Sequence, residues 1–211
     1  MRMNKHRTWC LMALWSLCVL IGSGCQIRDL VNTPTPTVDM HALMIDESAF
    51  PTDWSVCMDP LPPPERAQGE HGEIESLCTQ LCYEGPGCET FGAEQGLYRY
   101  RTEIGARRAF ESDFSTSEFL HHKSVLIPWH VPEQWVYHSR VADLQRFGCA
   151  QMDMGSVGPP EWRCTAVALY GRYVSTLNSN WSPECMTLDQ LARVLVSMDE
   201  RMAFYLGIGT D

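Results

Sequence analysis

Near the end of the chain, Leu188, Leu191, Leu195, Met198, Met202 and Tyr205 recur at intervals of three and four, while Arg193, Glu200 and Arg201 fall off the stripe. That spacing predicts an amphipathic helix with one face turned to a core. Thr187-Leu188-Asp189-Gln190 marks its start as a capping box: the threonine hydroxyl takes the N3 amide and Gln190 reaches back. Met186 and Leu191 are placed as a hydrophobic staple, and Gly207 and Gly209 end the helix.

Upstream the period changes to two. Leu97, Tyr98, Arg99, Tyr100 and Arg101 alternate apolar with basic positions, as a half-buried strand does. Residues 102–120 return to helical spacing through Ile104, Ala106, Phe110, Phe114 and Phe119. Residues 135–149 and 163–177 predict two long strands joined by a Gly-Pro turn. In the second, Thr165, Val167, Leu169 and Tyr173 share one face, interrupted at Gly171, and Cys164, Ala166, Ala168, Tyr170 and Val174 share the other. Two apolar faces imply a central strand covered on both sides. Residues 39–48 predict a short helix closed by a turn at Phe50-Pro51, residues 54–58 a short strand and residues 61–73 a loop. The expected fold is α+β: a mainly antiparallel sheet packed by helices, in one domain over residues 38–211.

The first 25 residues have another character. Arg2, Lys5 and Arg7 precede an unbroken apolar or small run from Trp9 to Gly22, then Ser23, Gly24 and Cys25. A basic segment, an apolar core of this length and small residues before a cut make a secretory signal over residues 1–24. The run is shorter than the roughly 20 residues that span a bilayer. The cysteine after Gly-Ser-Gly resembles the lipobox of bacterial lipoproteins, which implies acylation at Cys25, although Gly22 stands where that family usually has leucine. Residues 25–37, with Thr-Pro-Thr-Pro-Thr at 33–37, suit an extended tether off the membrane.

Charge narrows the partners. The chain carries 16 basic and 26 acidic residues, and removing the signal leaves 13 against 26, a net −13 with Lys123 as its one lysine. Such a surface repels nucleic acid and offers no polybasic patch to anionic lipid. Membrane contact then rests on the acyl anchor, and a firm anchor takes more than one acyl chain.

Seven cysteines remain beyond the signal and Cys25: Cys57, Cys78, Cys82, Cys88, Cys149, Cys164 and Cys185. In an exported chain they imply up to three disulfides and one cysteine left over, with connectivity open. Cys149 and Cys164 flank the turn between the two long strands, so a hairpin would set them opposite one another. Cys57, Cys78, Cys82 and Cys88 crowd together and suggest a short-range bridge.

The succession VADLQRFGC, a turn, RCTAVALYGRYVSTLNS and MTLDQLARVLVSMDERM resembles small bacterial lipoproteins without assigned activity. It is more distantly similar to extracellular sensor domains of actinobacterial kinases and to the α/β/α sandwich of photosystem extrinsic proteins. The likeness spans about the second half of the chain. It implies the sandwich, and no catalytic residue.

Chemistry is sparse. Cys78 and Cys82 have the spacing used by lipid-anchored copper chaperones, and Met152 and Met154 are soft thioethers beside Cys149. A thiol or copper-handling redox protein is therefore the alternative function. His41, His71, His121, His122, His130 and His138 show no paired ligand spacing, so no metal site is expected. Ser156 lacks the glycine two positions earlier that a nucleophile elbow needs. Scattered acids such as Asp199 and Glu200 suit a solvated surface. Trp129, Trp135, Tyr137 and Trp162, among several prolines, are candidates to line a groove for a peptide, glycan or small apolar ligand. The sequence thus points to a lipid-anchored binding, sensing or assembly module on the extracytoplasmic face, not an enzyme, with no cofactor and an unnamed protein or small-ligand partner.

Overall fold

The computed structural model describes residues 38–61, 71–88, 91–114, 125–155 and 159–209. The signal, Cys25, the tether, Phe119, His121, His122, Lys123 and Ser156 lie outside the described residues. A short helix α1 (Met40–Leu43) and a 3₁₀ turn (Glu47–Ala49) lead into β1 (Trp54–Leu61), β2 (Glu73–Tyr83) and β3 (Gly92–Tyr100). Helix α2 (Glu103–Ala109) runs into a π turn (Phe110–Phe114). Then come β4 (Val125–His130), β5 (Leu144–Met152), β6 (Glu161–Tyr170), β7 (Tyr173–Trp181) and the long helix α3 (Leu188–Leu206). The seven strands form one antiparallel sheet in the order β1-β2-β3-β7-β6-β5-β4. The expected fold class is the one observed.

Helix α3 covers one face. Leu191, Val194, Leu195 and Met198 pack with Leu81, Ala93, Ala166 and Leu177 of the sheet, and Met202 joins Tyr173 and the α1 residues Met40 and Leu43 further along. On the other face α2 sets Ala106, Ala109 and Phe110 against Tyr98, Tyr100, Val167, Leu169 and Val174. Each large side chain so buried contributes about 1.5–3 kcal/mol. The capping box at Thr187 forms in both directions, and Gly207 closes α3 in the left-handed conformation (φ 65°). Buried Gln95 ties the segment just after α1 to the sheet: its Oε1 accepts the Ile45 amide at 2.8 Å and its Nε2 donates to Ser175 Oγ at 3.4 Å.

Several local expectations need correction. The strand expected over residues 163–177 is a hairpin, turning at Gly171 (φ 57°) and Arg172 with Tyr170 opposite Tyr173. The two-residue turn flips the alternation, so Tyr173 shares a face with Tyr170, and Val174 with Leu169. The strand expected from residue 135 starts only at Leu144. Before it, Ser139 Oγ accepts the amides of Val141 (3.1 Å) and Ala142 (2.8 Å), local bonds that compete with a ladder. Ile104 is 67% exposed, because α2 buries the Ala106, Ala109 and Phe110 side instead. Tyr205 also leaves the α3 stripe, and Asp199 takes a place in it at 6% exposure.

Among the described residues three disulfides are present: Cys57–Cys82, Cys88–Cys185 and Cys149–Cys164. The last pair is the hairpin bridge expected, on directly opposite residues. Cys57–Cys82 crosses the β1–β2 pair, whereas Cys88 does not serve its crowded neighbours and reaches 97 residues on to Cys185. Cys78 is buried on β2 and belongs to none of the three.

Candidate binding groove

Strand β4 pairs with β5 only as far as His130 opposite Cys149. There the chain leaves the sheet, turning where the Trp135 amide donates to the Pro132 carbonyl at 2.9 Å. It returns to lay Trp135 on Phe147 of β5, stacked at 3.7 Å and 15°. Tyr137 meets Trp135 edge-on, with centroids 6.1 Å apart at 90°. Between the departing loop and β5 lies an open hollow of about 580 Å³. Its aromatic lining is Trp129, Trp135, Tyr137 and Phe147, and its polar lining is His130, His138, Gln145 and Arg146.

Behind the hollow sits a buried polar knot. Asp199 of α3 accepts the Tyr170 hydroxyl at 2.6 Å on Oδ1 and the Tyr137 hydroxyl on Oδ2. Burial, with the Asp199 carboxylate beside each ring, pushes both phenols well above the ordinary tyrosine value. The Tyr137 loop is thereby pinned to the helix. Gln145 reaches both regions, lining the hollow and the small cavity at Asp199, and its Oε1 also accepts the Ser139 amide at 2.8 Å.

Of the four aromatics singled out from sequence, Trp129, Trp135 and Tyr137 come together around the hollow. Trp162 stands beside it, edge-on to His130 and to Trp181 at 5.7 Å each. Phe147, His138, Gln145 and Arg146 were not singled out. For Gln145, Arg146 and Phe147 the available signal was their alternation along β5, obscured because that strand was expected to begin nine residues earlier; His138 lies in the loop before it. Asp199, expected in solvent, is buried. Its spacing of four from Leu195 and three from Met202 placed it on the apolar stripe.

The soft-metal pair is not assembled as spaced: Cys82 is bonded to Cys57 and Cys78 is buried four residues away. Cys149 is bonded to Cys164, Met152 is buried and Met154 is half-buried. Among the described residues, no three of His, Cys, Asp and Glu gather to hold a metal. Ser112 Oγ lies 3.0 Å from His71 Nε2, but 2.7 Å from the Arg108 carbonyl. That carbonyl is the natural recipient of the hydroxyl proton, the back-bond of a serine in a helical turn.

No family model and no curated protein matches the chain. In structure it is similar to the extracellular domain of the mycobacterial kinase PknH, from Mycobacterium tuberculosis. The match has a TM-score of 0.52 at 10% identity and covers 77% of this chain and 94% of that one. The fold is shared. The likeness to kinase extracellular domains read from the sequence therefore holds at the level of fold. No described helix is long and apolar enough to cross a membrane.

Proposed function

We propose that the chain is a lipid-anchored extracytoplasmic module, without catalytic activity, that binds a ligand in the hollow beside β5. The observation that carries this is the hollow itself: four aromatic rings and a few polar side chains around about 580 Å³. That volume and lining suit a small ligand or a peptide side chain and backbone. The compartment is supported by the signal-like first 24 residues and by three disulfides, which persist in oxidising surroundings. Cys25 supplies the anchor, and the acidic surface keeps the domain off anionic lipid.

Two measurements test the two halves. Intact mass of the protein taken from membranes should show a diacylglycerol adduct on Cys25, and Cys25→Ser should move the protein to the soluble fraction. A membrane-bound Cys25→Ser protein would sink the anchor. Anilinonaphthalene sulfonate, an anionic aromatic probe, should gain fluorescence on the folded domain and lose that gain in Trp129→Ala. A gain unchanged by Trp129→Ala would remove the hollow as the binding site.

A further inference from the structure

The hollow touches consecutive residues of β5 from both sides of the sheet. Gln145 and Phe147 pair with Ala168 and Ala166 and stand on the α3 face, whereas Arg146 and Gly148 pair with Val167 and Thr165 and stand on the α2 face. A hollow lined by consecutive residues of a single strand lies along that strand's edge. The edge is open there. β4 pairs with β5 only from Cys149 to Met152, and no other strand among the described residues lies beside residues 144–148 on that side.

The backbone is set to pair. The Cα atoms of Cys149 and Cys164 are 4.0 Å apart, the spacing of a non-hydrogen-bonded antiparallel pair. The N–H and C=O of Cys149 therefore point away from β6, as do those of Phe147 and Gln145, two and four residues back. β4 meets Cys149; Phe147 and Gln145 present their donors and acceptors to the hollow. Five residues of open edge span about 17 Å, room for a strand of similar length.

Charge selects the occupant. The described lining holds Arg146, His130 and His138 and no Asp or Glu, in a chain whose net charge is −10. We infer that the hollow receives an extended acidic peptide segment, which adds to β5 as a strand through Gln145 and Phe147. Its alternate side chains lie on the stacked rings of Trp135 and Phe147, and its carboxylates face Arg146. This rests on the binding reading of the same hollow and names its ligand class.

The test is an array of blocked heptapeptides alternating Glu or Asp with Val, Ile, Phe, Tyr or Trp, probed with the folded domain. The tightest peptide is then titrated by tryptophan fluorescence and amide NMR. Binding should slow hydrogen exchange at the Gln145 and Phe147 amides. N-methylating the peptide amides that face β5 should weaken it by about tenfold or more, because an unmade backbone bond is lost with the charge unchanged. Replacing its acids by lysine, or Arg146→Glu in the protein, should weaken it similarly. Equal affinity of the N-methylated peptide would overturn strand addition. An array without binders, alongside retained dye binding at the hollow, would overturn the peptide and leave the binding site standing. Loss of both would take the site with it.

Discussion

The hydroxyl of Tyr170 donates to Asp199 Oδ1 across 2.6 Å, inside the interface between β6 and the long helix. A carboxylate in that position is held by its donors, since a buried charge without them is costly. Tyr137 is the second donor and carries the loop that frames the hollow. Asp199 therefore joins the fold to the hollow.

Replacing Asp199 tests that link. Asp199→Ala takes the acceptor from Tyr170 and leaves Tyr137 only the Leu195 carbonyl at 3.3 Å, and should cost about 2–3 kcal/mol, with Asp199→Asn costing less because an acceptor remains. Urea unfolding measures both. Tyr137→Phe should be milder in stability, yet should loosen residues 131–143, seen as faster amide exchange at Trp135.

Alkaline pH should weaken the domain. Both phenols titrate above the ordinary value of 10.0 in the folded state, so the native protein holds more protons than the unfolded chain at high pH. The contribution is whole below pH 10.0 and falls as pH climbs from there toward the folded values. Urea midpoints followed from about pH 8 to 11 should drop at the alkaline end. Tyr137→Phe should flatten that drop, and an unchanged slope would remove Tyr137 as its source.

The bridges should differ in weight. Cys88–Cys185 closes 97 residues and Cys149–Cys164 closes 15. In the chain-entropy account their paired replacement by alanine costs about 4–5 and about 3 kcal/mol respectively. Thermal melting of the two double variants gives the order. A larger loss from the hairpin bridge would show that packing around Cys149, fully buried, outweighs loop closure.

Cys78 should resist alkylation in the native domain, being 8% exposed on β2. After unfolding without reductant it should take one adduct while the six bridged cysteines take none. Mass spectrometry distinguishes this from rapid native labelling, the behaviour of an accessible redox thiol.

What the sequence revealed was local. The capping box at Thr187, the α3 stripe and the Cys149–Cys164 hairpin depend on residues within a few turns of each other; the cap and the bridge are as expected, and the stripe holds from Leu191 to Met202 with Asp199 added and Tyr205 lost. Relations that cross the chain were hidden. Cys88 finds Cys185 only because β3 and β7 lie side by side, and Asp199 finds Tyr137 only because a loop 62 residues earlier folds onto the helix. The missed turn at Gly171 had a short-range signal, a glycine between two apolar runs, outweighed by a long alternation that continued on either side. At the groove, the clustering of Trp129, Trp135 and Tyr137 was legible, while the open edge of β5 emerged only with the departure of β4.

The strand order carries a consequence for how the domain is made. β1-β2-β3 and β7-β6-β5-β4 are two meanders, each closed by neighbours in sequence, and they meet at a single seam where Ala93 faces Ser179 and Arg99 faces Tyr173. During synthesis the first meander emerges with β3 as an unpaired border, and its partner strand arrives some 80 residues later. That seam has the largest sequence separation of any strand pairing in the sheet, the kind of non-local closure that slows folding. Until it closes, β3 is an adhesive margin, and whatever escorts the nascent chain has that stretch to shield.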